Sequence, residues 1–176
     1  MVRHRAPVIA LLTDFGTTDW YVASMKAVML SLCPHARLVD ISHGVPRQDV
    51  VAGAVTLAAS APWFPAGTVF ACVVDPGVGT KRRLIAAQAD GHQFIGPDNG
   101  LLSLVLERSR APTVFEVTNS RLWRPDPSVT FHGRDIIAPV AAHLAWGRLL
   151  REVGAKTNRY EPLRVSPMRK VGGVWR

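Results

Sequence analysis

Three short clusters hold the residue types that could do chemistry. They are Asp14-Phe15-Gly16-Thr17-Thr18-Asp19, the stretch from Asp75 to Arg83, and Phe131-His132-Gly133-Arg134-Asp135. An aspartate after a strand often does no more than cap a helix or shape a turn. Three clusters that all fall where strands are expected to end carry more weight than one. A histidine in a turn, flanked by Gly133, Arg134 and Asp135, is better placed to act as acid, base or orienting group than one packed in a core. The turn-rich Asp75-Pro76-Gly77-Val78-Gly79-Thr80 is expected to bring the side chains of Asp75 and Arg82 together.

Other chemistries find less support. Gly77-Val78-Gly79 lacks the third glycine of a dinucleotide loop, because residue 82 is Arg, and no Gly-Lys-Ser/Thr follows. No Gly-x-Ser-x-Gly elbow presents a serine nucleophile. The six histidines (His4, His35, His43, His92, His132, His143) include no pair four residues apart, and Cys33 and Cys72 have no ligand spacing, so no metal site is expected. His143 lies on an expected helix and reads as structural. The two cysteines sit in or beside apolar runs and read as buried thiols of a reducing compartment.

The elements that must position these clusters alternate along the chain. Residues 7–13 (PVIALLT), 37–41 and 68–74 (TVFACVV) read as strands, two of them nearly continuous apolar runs suited to burial on both faces. Residues 19–32 read as a helix with Asp19 as N-cap, closed by Pro34, and residues 48–61 as a second helix with an aspartate near its start. Asp90-Gly91 predicts a hairpin between 83–89 and 92–95. A short helix over 101–108, a strand over 113–117 and a helix over 135–146, with its proline in the first turns, complete the pattern. The expected fold is α/β, a mostly parallel central sheet flanked by helices in a three-layer sandwich. Ligands in such sheets bind outside the carboxyl ends of the strands, where all three clusters fall.

The chain has 176 residues, 48% apolar and 19% charged, which suits one domain with a real core. Residues 1–150 read as that domain. Residues 151–176, broken by Pro162, Pro167, Gly172 and Gly173, read as a basic linker or the truncated start of another domain. Five of the eight net positive charges fall in this last segment. That placement, with no known nucleic-acid-binding motif or module, argues against nucleic acid as the partner. No run approaches the roughly 20 apolar residues of a membrane span, and no cleavable leader is expected, since Thr13-Asp14 interrupts the short apolar run near the start. A cytoplasmic protein with no membrane partner is expected.

Five stretches together resemble one family. They are LLTDFGTTDWYVASMKAVM (11–29), DISHGVPRQDVVAGA (40–54), VVDPGVGTKRR (73–83), GPDNGLL (96–102) and TFHGRDIIAPVAAHLA (130–145). In this order they resemble the adenosine-forming S-adenosylmethionine hydrolases, relatives of the S-adenosylmethionine-dependent fluorinase and chlorinase. The resemblance implies attack of water or hydroxide on C5′ of S-adenosylmethionine, releasing methionine and leaving adenosine. S-adenosylmethionine is then the substrate, and no cofactor is implied. A sulfonium already leaves well, so the task is to hold one oxygen nucleophile in line.

By the same resemblance the catalytic residues are Asp75, Arg82 and His132, with the spacing favouring Arg82 over Arg83. Asp14 matches a carboxylate that grips the ribose hydroxyls, and Asp19 a group near the methionine end. Gln48 lies where the halogenases carry an aromatic residue, and Asn99 supports the pocket or simply shapes a turn. Halogenases have Tyr in place of Asp75, and fluorinase has Ser in place of Gly133. A carboxylate beside the nucleophile repels halide, which favours hydrolysis over halogenation. The resemblance further implies a homotrimer and a second, C-terminal β-barrel domain, which is expected to be missing here. A catalytically impaired domain that binds S-adenosylmethionine or nucleoside is the alternative reading.

Overall fold

The first strand sets the layering. β1 (Val8–Thr13) points Ile9 and Leu11 to one side of the sheet and Ala10 and Leu12 to the other, and all four are fully buried. Ile9 and Leu11 pack with Met25 and Met29 of α1 (Tyr21–Leu32) and with Val140 and Leu144 of α4 (Ala138–Ala145). Ala10 and Leu12 pack with Leu57 of α2 (Val50–Ser60) and Leu106 of α3 (Ser103–Arg108). The sheet is therefore covered on both faces. This is a computed structural model, and it describes residues 6–164 together with the backbone of 170–171 and 174–175.

The remaining strands are β2 (Arg37–Ser42), β3 (Val69–Val73), β4 (Leu84–Ala89), β5 (His92–Pro97), β6 (Thr113–Glu116) and β7 (Lys156–Thr157). Their order in the sheet is β2-β1-β3-β5-β4-β6-β7. The neighbours from β2 to β5 are parallel, and β4 and β7 run against the strands beside them. Five of the seven strands thus point one way, as expected from the sequence. β1 feeds α1 on one face, β2 feeds α2 on the other, and β3 returns on the far side of β1. The order reverses between β1 and β3, which opens a crevice outside their carboxyl ends.

Local chemistry explains most of the boundaries. Asp49 caps α2 by accepting from the Ala52 amide at 2.9 Å. Asp19 does not cap α1; Trp20 occupies that position without a side-chain bond, and the helix starts at Tyr21. Asp90 (φ 47°) and Gly91 (φ 79°) make the tight turn of the β4–β5 hairpin. Gly53 allows α2 to approach the end of β3: a Cβ there would lie 2.8 Å from Leu101 Cδ1 and 3.0 Å from Val74 Cγ2.

The segment read from sequence as a linker begins as part of the domain. Leu150 and Val153 are buried in a helical turn, and β7 pairs with β6 at the sheet edge. Lys170–Val171 (β8) and Val174–Trp175 (β9) pair as a separate antiparallel ribbon. The rest of the 151–176 segment, residues 165–169, 172, 173 and 176, lies outside the described residues. Among the described residues, no helix is long and apolar enough to cross a membrane.

Candidate active site

Asp75 lies two residues past the end of β3, and the turn after it brings Arg82 back onto its carboxylate. Arg82 Nε donates to Asp75 Oδ1 at 2.9 Å and Oδ2 at 2.8 Å, and Nη2 donates to Oδ2. The Gly77 amide adds a bond to Oδ1 at 3.2 Å. The two side chains are 4% and 11% exposed. A buried ion pair needs further hydrogen bonds to offset its desolvation, and here the Gly77 amide and His132 supply them. The same Nη2 lies 2.8 Å from Nδ1 of His132, which arrives from the other end of the chain at the head of α4.

That contact fixes the state of the imidazole. A guanidinium has only donors, so Nδ1 accepts and the ring proton sits on Nε2. Burial pushes the His132 pKa below its ordinary value, and the charge of Arg82 pushes it further, against the weaker opposing pull of Asp75 and Asp135. The ring is therefore neutral at pH 7.

The backbone after His132 does not enter α4 regularly. Residues Gly133–Ile137 form a wider, π-helical turn. Asp135, 1% exposed, holds the turn. It accepts from the Ser128 amide at 2.9 Å and from Arg134 at 2.7 and 2.8 Å, with Arg124 3.3 Å away. Burial alone would raise the Asp135 pKa, but Arg134, the Ser128 amide and Arg124 together hold it below the usual carboxylate value. A Cβ at Gly133 would meet Met25 Sδ at 3.3 Å and Phe15 Cζ and Val73 Cγ2 at 3.5 Å, so the glycine leaves little unused space.

Asp14 follows β1, across the crevice. Its Oδ2 accepts from the Gln48 amide at 2.8 Å. Gln48 has φ 63°, a left-handed backbone that a non-glycine residue adopts at a cost of about 1 kcal/mol or more. Asp14, Gln48, Asp75, His132 and Gly133 line one cleft of about 510 Å³. Arg82 stands behind Asp75 and His132.

Two residues singled out from sequence lie elsewhere. Asp19 is exposed and does not line the cleft. Asn99 spends its side chain on the backbone, donating to Val74 O at 2.9 Å and accepting from the Leu101 amide at 3.1 Å, which braces the end of β3 beside Asp75. Arg83 pairs with Asp98, not with the triad.

The structure also gives a shared role to aromatic residues that lie in or beside the sequence clusters. Phe15, Trp20, Tyr21 and Phe131 form an aromatic wall of the cleft. Trp20 stacks on Tyr21 with ring centres 4.8 Å apart, and Tyr21 meets Phe131 edge-on at 5.2 Å. Trp20 is 58% exposed, which marks it as a surface group and not a core one. The signal was present in Asp19-Trp20-Tyr21, next to an already suspected cluster. Arg47 and Arg134 add positive charge to the lining. Among the described residues, no group of three or more His, Cys, Asp or Glu side chains gathers in a way that could hold a metal ion.

Residues 9–154 match the family model of the SAM hydroxide adenosyltransferase N-terminal domain. A protein of Salinispora tropica named (R)-S-adenosyl-L-methionine hydrolase is 47% identical over 151 residues, covering 84% of this chain and 57% of its own length. A fluorinase of an Actinoplanes species is 35% identical over 194 residues, covering 96% of this chain and 65% of the fluorinase. A crystal structure of an uncharacterized conserved protein from Thermotoga maritima superposes with a TM-score of 0.87 at 41% identity, covering 91% of this chain and 62% of that one. The chain thus spans a little over half the length of its hydrolase relative.

Proposed function

We propose, from the premise that the chain belongs to the SAM hydroxide adenosyltransferase N-terminal domain family, that it hydrolyses S-adenosyl-L-methionine to adenosine and L-methionine. The observation that carries the reading is the interlocked Asp75–Arg82–His132 group at the mouth of the β1/β3 crevice. Relatives are named for the (R) form of the substrate, and that form is proposed here too.

The geometry assigns roles. Arg82 engages both oxygens of Asp75, so the carboxylate balances charge and is a poor proton acceptor. Hydroxide is then the attacking species, drawn to Arg82 and held by the Nε2–H of neutral His132. Its oxygen forms the new bond to C5′ while the C5′–S bond breaks. The sulfur keeps the electron pair and leaves as the neutral thioether of methionine. Asp14 holds the ribose hydroxyls through the oxygen not taken by Gln48, and the aromatic wall receives the adenine. The fluorinase relatives raise halide as a rival nucleophile; hydroxide has an O–H to donate to the carboxylate of Asp75, whereas halide has no donor to offset the repulsion.

The catalytic unit read from sequence as residues 1–150 is proposed to extend through β7, because Val153 joins its core and β7 its sheet. A homotrimer in the cytoplasm, with no cofactor, completes the reading, and sedimentation velocity tests the oligomer. The direct test incubates the protein with each sulfonium epimer and separates the products by chromatography. Adenosine and methionine in equal amounts from the (R) form support the proposal. A folded sample that yields neither overturns it.

A further inference from the structure

We infer that Thr13 and His43 form a positioning pair that sets the aim of Asp14 into the cleft. The inference rests on the proposed role of Asp14 as the ribose-binding carboxylate.

Both residues are polar and buried: Thr13 is fully buried and His43 is 6% exposed. Such groups cost free energy unless they are paired. Thr13 Oγ1 lies 2.8 Å from His43 Nδ1 and accepts from the Phe15 amide at 3.3 Å. On the other side of the ring, His43 Nε2 sits 3.0 Å from Asp40 Oδ1, close enough for electrostatic pairing although the angle is too bent for a full hydrogen bond. Asp40 Oδ2 is in turn held by Lys26 Nζ at 2.6 Å. A carboxylate only accepts, so Nε2 carries the ring proton. Nδ1 is then the acceptor, and the Thr13 hydroxyl donates to it. The hydroxyl is used in both directions, once by the histidine and once by the amide of Phe15.

The consequence falls on the turn between them. Thr13 closes β1, and Asp14 and Phe15 are the next two residues. The Gly16 amide donates to the His43 carbonyl at 2.8 Å, and the Gln48 amide donates to Asp14 itself. Residues 43–48 therefore brace residues 13–16 at a hydroxyl, a backbone carbonyl and a carboxylate. The β1–β2 register slips between Leu11 and Leu12, leaving one extra residue between Asp40 and Ser42, immediately before His43. Hydrogen bonds are directional, and an apolar pair of similar volume would fill this space without fixing how the turn is aimed. None of these groups lines the cleft except Asp14, Phe15 and Gln48.

The test compares Thr13→Val, which keeps the shape and removes the hydroxyl, with Thr13→Ser, which restores it. Thr68→Val serves as a control, because Thr68 is equally buried and bonds to Pro65 O but lies at the opposite end of β3. Adenosine affinity is measured by calorimetry, KM and kcat for S-adenosylmethionine by turnover, and stability by thermal unfolding. Thr13→Val should weaken adenosine binding and raise KM about tenfold, the size of one net hydrogen bond, with kcat changed much less. Thr13→Ser should recover most of the loss, and Thr68→Val should lower stability without moving KM. Unchanged adenosine affinity in Thr13→Val, or an equal loss in Thr68→Val, overturns the inference. If Thr13→Val does not fold, Asp40→Ala carries the test from a half-exposed site, with an expected adenosine Kd a few-fold weaker and an unchanged Kd contradicting it. Failure of the wild type to bind adenosine or to turn over would instead count against the proposed function.

Discussion

Arg82 Nη2 and His132 Nδ1 meet at 2.8 Å, although fifty positions separate them in the chain. The contact joins the loop after β3 to the head of α4; it sets the tautomer of the histidine and adds to burial in keeping the ring neutral. The same guanidinium neutralises Asp75. One arginine therefore contacts both other members of the group.

The first prediction concerns His132. Burial and the Arg82 charge both lower its pKa, so its ring resonances should titrate in NMR with a midpoint below the ordinary 6.5. Replacing Arg82 with Met removes a positive neighbour and leaves Asp75 uncompensated, which should move the midpoint upward. A wild-type midpoint above 6.5 would mean that the histidine is not held neutral by its surroundings.

The Asp75–Arg82 pair should matter for folding as well as for chemistry. Asp75→Ala strands a nearly buried guanidinium, and breaking such a pair from one side costs about 3 kcal/mol. Denaturant unfolding should show the loss directly. A change under 1 kcal/mol would indicate that water reaches Arg82 freely.

Trp20 offers the reverse case. It is largely exposed, so Trp20→Ala should change stability by no more than about 0.5 kcal/mol. Stacking of a base on an aromatic ring is worth about 1–3 kcal/mol, so adenosine binding should weaken roughly tenfold or more. Calorimetry on the same sample measures both. Undiminished affinity would remove the aromatic wall from the adenine site.

Stability should fall as the solution is acidified, in two stages. His92, His132 and His143 all have folded pKa values below 6.5, lowered first by burial. The unfolded chain then binds protons that the native state resists, so stability declines as pH falls below about 6.5 towards the folded values. Asp40 and Asp135 are held below the ordinary 3.8, with ion-pair and hydrogen-bond partners outweighing burial. Their contribution is present above that value and is lost as pH falls through the folded ones. His92→Phe should flatten the first stage, since its ring packs against Phe70 and Phe94 and its Nδ1 finds no partner among the described residues. Equal slopes between pH 7 and 5 in wild type and His92→Phe would contradict this.

The strands and their carboxyl ends were legible in the sequence because buried parallel strands are continuous apolar runs. Asp14 and Asp75 stand out as the first polar residues after such runs. The partnership of Arg82 with His132 was not a local property; it depends on a sheet order that brings α4 over β1 and β3. Asp19 does not cap the helix because the helical pattern is permissive at its start, whereas the helix begins at Tyr21 and its packed face at Val22. The aromatic wall escaped notice because spacing alone does not separate a surface tryptophan from a core one. β7 is two residues long and pairs only at an edge, too short for any periodicity.

The most direct measurement follows turnover of (R)-S-adenosyl-L-methionine in water enriched in oxygen-18, with mass spectrometry of the nucleoside product. The expected result is adenosine carrying the heavy oxygen at its 5′ position, formed in step with methionine and lost in Asp75→Ala. No adenosine from a folded sample, or adenosine without the label, would contradict hydroxide attack at C5′.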